Sequence, residues 1–376
     1  MTPTCITLSA NTSWYLYNFR GSTIRTLAAQ GHRVVCLSPV DDYSARLAEL
    51  GAEWRELSMD NAGTHPGRDL ALVGRFVRHY RALRPTVAFH FTIKNNVYGT
   101  WAARALGIPA VNNVSGLGTA FIRPGPVAAV VRTLYRLSQP LAHRVFCQNA
   151  EDFDLLRQRR LVPTGRLALL PGSGVDLERF HPGLRVARAP GAPLRLLYAG
   201  RMLADKGLHE LIEAVGRVNA GGVRCALSLC GFAGAENVSA IDEALLQQWA
   251  QRPGVRWLGP SDDMPQVYAH ADAVVLPSYR EGMPRSLLEA SAMALPAVAT
   301  DVPGCRHIVR HGHNGLLCEA RSVDALFAAL EQLLAMSDAE RAALGAAGRA
   351  RVEAEFDEQL VVKAALDVVD HVLRRR

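Results

Sequence analysis

The sequence predicts an α/β protein of two doubly wound, Rossmann-like parallel sheets, and three observations predict it. The chain has 376 residues, more than one hydrophobic core usually sustains. Short apolar runs alternate with helical-period segments, which argues for parallel strands joined by crossover helices. A proline- and glycine-rich stretch near 171–193 (PGSGVDLERFHPGLRVARAPGAP) interrupts that alternation once, after which it restarts.

In the first half the expected strands are 4–9 (TCITLS), 33–38 (RVVCLS), 86–91 (TVAFHF), 110–114, 144–148 and 167–170. Helical spacing falls at 23–30, 43–50 and 70–83, with Leu27, Leu47, Leu50, Leu72 and Phe76 on the apolar faces. The second half offers strands at 194–199 (LRLLYA), 224–230 (RCALSLC), 255–258, 273–277 (AVVLP) and 297–300. Its helices are expected at 207–219, 238–251, 284–294 and 322–335, and 338–376 reads as one long helical stretch. The domains are therefore placed at 1–185 and 193–355, with a terminal helix at 356–376 able to pack back on the first domain. Two such domains would face a central cleft, and ligands of such sheets lie beyond the carboxyl ends of the strands.

Composition narrows the class. Apolar residues make up 49% and charged residues 20%, an ordinary globular balance. Seven cysteines are scattered without a Cys-x-x-Cys pair, the pattern of buried thiols in a reducing compartment. The opening MTPTCITLSANTSWYLYNFRG lacks the basic and apolar regions of a secretory leader, and no apolar run is long enough to span a bilayer. The expected location is cytoplasmic, peripheral on the inner face of the cytoplasmic membrane.

Charge is uneven. Residues 1–185 carry a net +10 and residues 186–376 a net −3. No acidic residue occurs between Asp69 and Glu151, a stretch that holds ten Lys and Arg residues. Such a surface favours an anionic partner, unless it reflects no more than a general arginine bias. Base readout is not expected, because aromatics are only 7% and are not interleaved with the basic run. The partners expected are an anionic membrane surface and a lipid-linked anion, and no nucleic acid.

Two motifs carry the chemistry. The first is REGMPRSLLEA at 280–290, after the apolar strand AVVLPS. Gly282 would allow a tight turn and Pro284 would open a helix, whose free N–H groups suit an anion. Glu281 and Glu289 flank that helix start and can accept hydrogen bonds from sugar hydroxyls. The second motif is GRMLADKG at 200–207, after strand LRLLYA. Arg201 and Lys206 there could neutralise a diphosphate and stabilise it as a leaving group. The spacing is not that of a Walker A loop. Asp152 and Asp154 form the one Asp-x-Asp and read as a helix face, not a metal site.

Together these motifs resemble the donor half of the family 4 glycosyltransferases, which have the GT-B fold. The family pattern is G-R-x-x-x-x-K-G followed by E-G-x-P-x-x-x-x-E, and VATDVPGCRHIVRHGHNGLL resembles the segment after it. In the first half, HFTIKNNVYGTWAARALGIPAVNNVSGLGTAFI resembles a subgroup that acts on polyprenyl-diphosphate-linked sugars in O-antigen and capsule assembly. The resemblance implies retention of anomeric configuration, no metal or other cofactor, and a UDP-linked, N-acetylated donor sugar. It implies donor contacts from Gly200, Arg201, Lys206, Glu281, Gly282, Met283, Pro284, Leu288 and Glu289. Arg201, Lys206, Glu281 and His90 are its candidate catalytic residues.

This chain departs from the family at the loop after the first strand, where ANTSWYLYNFRG replaces a glycine-rich turn. His90, with Lys94 and Asn95 following, is the expected contact for a sugar or phosphate. Phe121 and Ile122 read as exposed in NNVSGLGTAFIR, and Phe121 and Arg123 are candidate contacts for the acceptor or the membrane. The segment 126–144 reads as a basic amphipathic helix with Val127, Val130, Val131, Leu134 and Leu137 on one side. Arg132 and Arg136 would face anionic lipid there. Two other readings of the whole chain are a GT-B nucleotide-sugar epimerase and a non-catalytic membrane-associated scaffold that binds sugar nucleotides.

Overall fold

Two wholly parallel sheets organise the computed structural model, which describes residues 4–60, 66–115, 126–234 and 239–375. The chain divides into two units: Met1–Ser173 with Glu358–Arg376, and Gly174–Asp357.

In unit 1, β1 (Cys5–Ser9) leads into α1 (Ser13–Ala29), then β2 (Arg33–Ser38), β3 (Ala52–Glu56) and α2 (Pro66–Leu83). There follow β4 (Val87–Phe91), α3 (Thr100–Ala105), β5 (Ala110–Val114), α4 (Pro126–Ser138), β6 (Arg144–Cys147), α5 (Ala150–Gln158) and β7 (Leu167–Leu169). The strand order is β3-β2-β1-β4-β5-β6-β7, so the winding reverses between β1 and β4. β4 (VAFHF) is buried along its whole length, as a central strand covered on both faces should be.

Helix α1 begins ten residues earlier than the expected 23–30, so SWYLYNFRG, the greater part of ANTSWYLYNFRG, is helix rather than loop. Thr12 caps it, accepting from the Tyr15 N–H at 3.0 Å. Leu16, Arg20, Ile24 and Leu27 follow helical spacing on its buried face. Arg20 masks the apolar pattern in the sequence. Its guanidinium lies over the Phe91 ring at 4.5 Å and donates to the Tyr15 hydroxyl.

In unit 2 the elements are β8 (Leu194–Ala199), α6 (Leu208–Val218), β9 (Cys225–Cys230), α7 (Glu243–Ala250), β10 (Val255–Gly259), α8 (Met264–Ala269) and β11 (Ala273–Leu276). They continue with α9 (Arg285–Ala292), β12 (Ala297–Thr300), α10 (Pro303–Arg306), β13 (Gly315–Cys318), α11 (Val323–Ala335) and α12 (Asp338–Glu355). The order β10-β9-β8-β11-β12-β13 reverses between β8 and β11. One continuous core of apolar residues covers this sheet.

The stretch 338–376 is two helices, not one. α12 starts on a Ser337–Glu340 capping box and stops at Phe356, whose carbonyl accepts from Val175 N–H. α13 (Glu358–Leu373) then joins unit 1. There Val361, Ala365, Val368 and Val372 share a core with Ile24 and Leu27, and Ser22 donates to the Glu358 carboxylate.

Candidate functional site

Both sequence motifs of unit 2 fall at one place. Strands β8 and β11 are paired neighbours, and residues 200–207 and 277–289 leave from their carboxyl ends at the reversal of strand order. That crevice is where open α/β sheets bind ligands.

Glycine holds the first loop to the second. Gly207 caps α6 at φ +71°, and a Cβ there would lie 2.1 Å from the Pro277 carbonyl oxygen. No other residue type fits, because both the conformation and the space are refused. Behind it, Tyr198 donates from its buried hydroxyl to the Arg201 carbonyl at 2.8 Å. Tyr279 N–H donates to the Asp205 carbonyl at 2.9 Å, a second tie between the loops.

These ties bring Lys206 to Glu281. The Lys206 ammonium donates to Glu281 Oε1 at 2.5 Å, and the Ser278 hydroxyl donates to the same oxygen at 2.7 Å. The two side chains are 18% and 12% exposed, so the pair is shielded but reachable. An ammonium has three donors and this contact uses one, which leaves capacity for an anion. Arg201 is exposed and, among the described residues, its guanidinium has no hydrogen-bond or ion-pair partner.

Glu289 sits one turn into α9 and is buried, with Arg285 Nε donating to it at 2.8 Å. Its charge and the burial of Tyr268 push that phenol well above its ordinary pKa, with burial the larger cause. Glu281 does the same in smaller part to Tyr198, again after burial. Pro284 is the cap residue of α9, with extended backbone, and its carbonyl accepts from the N–H groups of Leu287 and Leu288 at 3.1 and 3.4 Å.

Two expected donor contacts are placed differently. Leu288 is wholly inside the core, because its position on α9 points at the sheet, so its side chain faces no ligand. Gly282 is not among the residues of positive φ, so the turn does not depend on left-handed backbone there. The glycine on which this turn depends is Gly304, at the start of α10. A Cβ on Gly304 would lie 2.6 Å from the Gly282 carbonyl oxygen and 2.7 Å from backbone atoms of Glu281. Met283 is half-buried against the unit 2 core.

Unit 1 has its own crevice at the β1–β4 reversal, a cavity of about 280 Å³ lined by Asn11, Thr92, Ile93, Lys94, Asn96 and Ser115 among others. Thr92 holds φ +70°, rare for a β-branched residue and frequent at functional sites. Lys94 reaches the cavity but is paired with Asp69 at 2.8 Å, and Asp69 also accepts from the Tyr98 hydroxyl at 2.9 Å. Asn95 is fully buried and donates to Thr92 Oγ1, so Asn96, its neighbour, lines the cavity instead.

His90 does not offer a catalytic nitrogen. It is fully buried, with Tyr80 Oη 2.8 Å from Nε2 and Asn112 Oδ1 2.9 Å from Nδ1. Asn112 Nδ2 donates to Asn96 O and Gln139 Oε1, which fixes Oδ1 as the acceptor and places the proton of His90 on Nδ1. Burial lowers the pKa of His90 to about 4, so it is a neutral member of an internal network beneath the cavity.

Helix α4 only partly matches its expected face. Ala128, Val131, Leu134 and Tyr135 pack inward, whereas Val130 and Leu137 are 51% and 58% exposed. Arg136 is exposed and Arg132 half-buried on the same helix. Phe121, Arg123 and Val127 lie outside the residues whose side chains are described. Asp152 pairs with the cap residue Asn149 of α5, and Asp154 with Arg157.

Comparison with known proteins agrees with this layout. Residues 20–173 match the sequence family "Glycosyl transferase 4-like domain", and residues 193–336 match "Glycosyl transferases group 1". A Campylobacter jejuni relative, N,N'-diacetylbacillosaminyl-diphospho-undecaprenol alpha-1,3-N-acetylgalactosaminyltransferase, is 26% identical, with 96% of each chain covered. An Escherichia coli UDP-Gal:alpha-D-GlcNAc-diphosphoundecaprenol alpha-1,3-galactosyltransferase is 24% identical over 63% of each chain. Among solved structures, a Rickettsia africae glycosyltransferase superposes with a TM-score of 0.80 at 15% identity over all of both chains. Anabaena HepE, solved with UDP and glucose, superposes at 0.79 and 17% identity over 98% of this chain and all of its own. At such identities these likenesses show the fold, which is GT-B, with one parallel α/β sheet per domain.

Proposed function

The chain belongs to the glycosyltransferases that join a 4-like domain to a group 1 domain, and from that premise we propose that it moves an N-acetylated hexose from a UDP-sugar to a polyprenyl-diphosphate-linked saccharide in bacterial surface polysaccharide or glycan assembly. The observation that carries the reading is the Lys206–Glu281 pair with Arg201 at the β8–β11 crevice. Cations and a carboxylate meet there at a helix start, the set a sugar diphosphate needs. The lipid-linked acceptor rests on the full-length Campylobacter relative, whose name specifies a diphospho-undecaprenol acceptor. The UDP donor has support from HepE, solved with UDP, and from the Escherichia coli relative, named for UDP-Gal.

In this reading the acceptor hydroxyl oxygen attacks the anomeric carbon on the face that the departing UDP leaves. The bond from that carbon to the phosphate oxygen breaks, and its electron pair goes with UDP. The hydroxyl proton passes to a donor phosphate oxygen, and configuration is retained without a covalent sugar–enzyme adduct. Arg201, Lys206 and the dipole of α9 stabilise the negative charge that grows on the diphosphate, a role that requires no metal. Glu281 and Glu289 accept hydrogen bonds from hydroxyls of the sugar and ribose. His90 serves this chemistry only as support beneath the unit 1 cavity.

The acceptor would lie along unit 1, at the cavity bordered by Lys94 and Asn96. The exposed Val130 and Leu137 beside Arg136 suit peripheral contact with an anionic bilayer surface. Among the described residues no helix is long and apolar enough to cross a membrane. The test is a donor panel of UDP- and GDP-sugars with an undecaprenyl-diphosphate-linked acceptor, followed by mass spectrometry with and without EDTA. A lengthened acceptor, an α-linkage and EDTA-insensitive rates are expected. A product formed without acceptor, or a trapped glycosyl-enzyme, would overturn the proposal.

A further inference from the structure

The opposite edge of the unit 1 sheet carries a second constellation that sugar transfer does not use. A cavity of about 660 Å³ opens at the amino-terminal ends of β5, β6 and β7. Arg104, His143, Arg144, Arg166, His371 and Arg375 line it, and among the described residues no acidic side chain does. The cavity bordered by Lys94 lies at the carboxyl ends of the same sheet, one strand length or about 17 Å away.

Two of the basic groups are held in place. Arg166 Nη1 donates to the carbonyls of Pro140 and Ala142 at 2.6 and 3.0 Å, and Arg144 Nη1 to that of Gly165 at 3.3 Å. Carbonyls orient a guanidinium without neutralising it. Among the described residues none of the four arginines is in an ion pair. His371 arrives on α13, with its ring centroid 5.6 Å from that of His143. Burial first, then His371 and the neighbouring arginines, hold the His143 pKa below its ordinary value. Four uncompensated guanidiniums converging on one concave surface form an attractive field for a multivalent anion, and their planar forks match phosphate oxygens.

We propose that this cavity is a second anion site that takes a phosphate-bearing group of about diphosphate size, apart from the site of sugar transfer. The group arrives either as a free phosphate or on the headgroup of an anionic lipid, for which Pro140 and Leu141 provide an apolar lip.

The test is calorimetric titration of the full chain with inorganic pyrophosphate, with UDP held at saturation so that unit 2 does not compete. Arg104→Gln with Arg375→Gln is the diagnostic variant, because neither guanidinium makes a hydrogen bond among the described residues. Pyrophosphate should bind the parent chain with UDP present and bind the variant at least about tenfold more weakly, the loss expected for one charge-assisted contact. The two melting temperatures should agree. Arg144→Gln alone gives a second, smaller loss. Flotation with phosphatidylglycerol or phosphatidylcholine vesicles separates the sources. Loss of phosphatidylglycerol binding in the variant identifies a lipid headgroup, and retention identifies a free anion. Undiminished pyrophosphate affinity in the variant, or no pyrophosphate binding beside UDP, would overturn the proposal.

Discussion

Gly304 offers a way to move the donor turn without touching any group proposed to meet the ligand. Its backbone is helical, so alanine is conformationally acceptable there. The difficulty is space alone. The new Cβ would stand 2.6 Å from the Gly282 carbonyl oxygen, against an ordinary contact of 3.4 Å or more. The turn must therefore give way by about 0.8 Å, and the crowding atoms belong to the backbone of Glu281 and Gly282, which cannot rotate aside. Displacements near 1 Å in a reacting geometry cost about a hundredfold in rate. Gly304→Ala should therefore lower kcat/KM by roughly 30- to 100-fold. Overpacking should also cost about 1–3 kcal/mol of stability, or roughly 2–12 °C in Tm for a unit of this size. The assay is initial-rate sugar transfer together with thermal unfolding followed by circular dichroism. Gly74→Ala in α2 is the control, since nothing lies within 4 Å of its Cβ, and it should leave turnover unchanged while adding about 0.5–1 kcal/mol. Wild-type kcat/KM and Tm in Gly304→Ala would refute the claim that this contact sets the turn.

Arg201→Ala should leave Tm unchanged and weaken UDP binding at least about tenfold by calorimetry, because its exposed guanidinium has no partner within the described fold. Lys206→Ala should differ by also losing about 1–3 kcal/mol of stability, since Glu281 then keeps only the Ser278 hydroxyl; an undiminished Tm would argue against the shielded pair. His90 gives a pH dependence. Its folded pKa of about 4 lies below the ordinary 6.5, so the unfolded chain binds more protons between those values and stability falls as pH drops through that window. The slope is at most about 1.4 kcal/mol per pH unit from this group, with His79 and His143 acting in the same direction. Urea unfolding at pH 7, 5.5 and 4.5 should show it, and His90→Gln should flatten it; equal slopes in both proteins would contradict the assignment. Leu137→Glu should reduce flotation with phosphatidylglycerol vesicles at least about threefold, given about 1 kcal/mol per unfavourable surface group, and unchanged flotation would remove α4 from the membrane contact.

The central strands were legible because a strand buried on both faces reads as a nearly continuous apolar run, as in VAFHF, CALSLC and AVVL. The edge strand β3, AEWRE, carries no such run and was missed. Arg20 hid the first half of α1 because a buried cation, held by aromatic faces, breaks the apolar period that marks a helix. In the site, Lys206 and Glu281 were legible as charged residues beside glycine at strand ends. Ser278 and Gly304, which position Glu281, were not, since a serine or a small residue shows its purpose only when its neighbour across the turn is known. His90 misled for a related reason. A histidine near a strand end looks exposed in sequence, but β4 lies at the centre of its sheet and its end is roofed by Asn96, Asn112 and Gly99.

Unit 2 is one uninterrupted stretch of chain, while unit 1 is completed only by α13. A ribosome that has just made Ser173 has not yet made the helix whose valines cover Ile24 and Leu27. At about 5–20 residues per second the 184 residues of unit 2 that separate the two parts of unit 1 take roughly 9–37 s to be made. Until α13 is made, Ile24 and Leu27 lack that cover, so unit 1 is completed only after the whole of unit 2 has been synthesised.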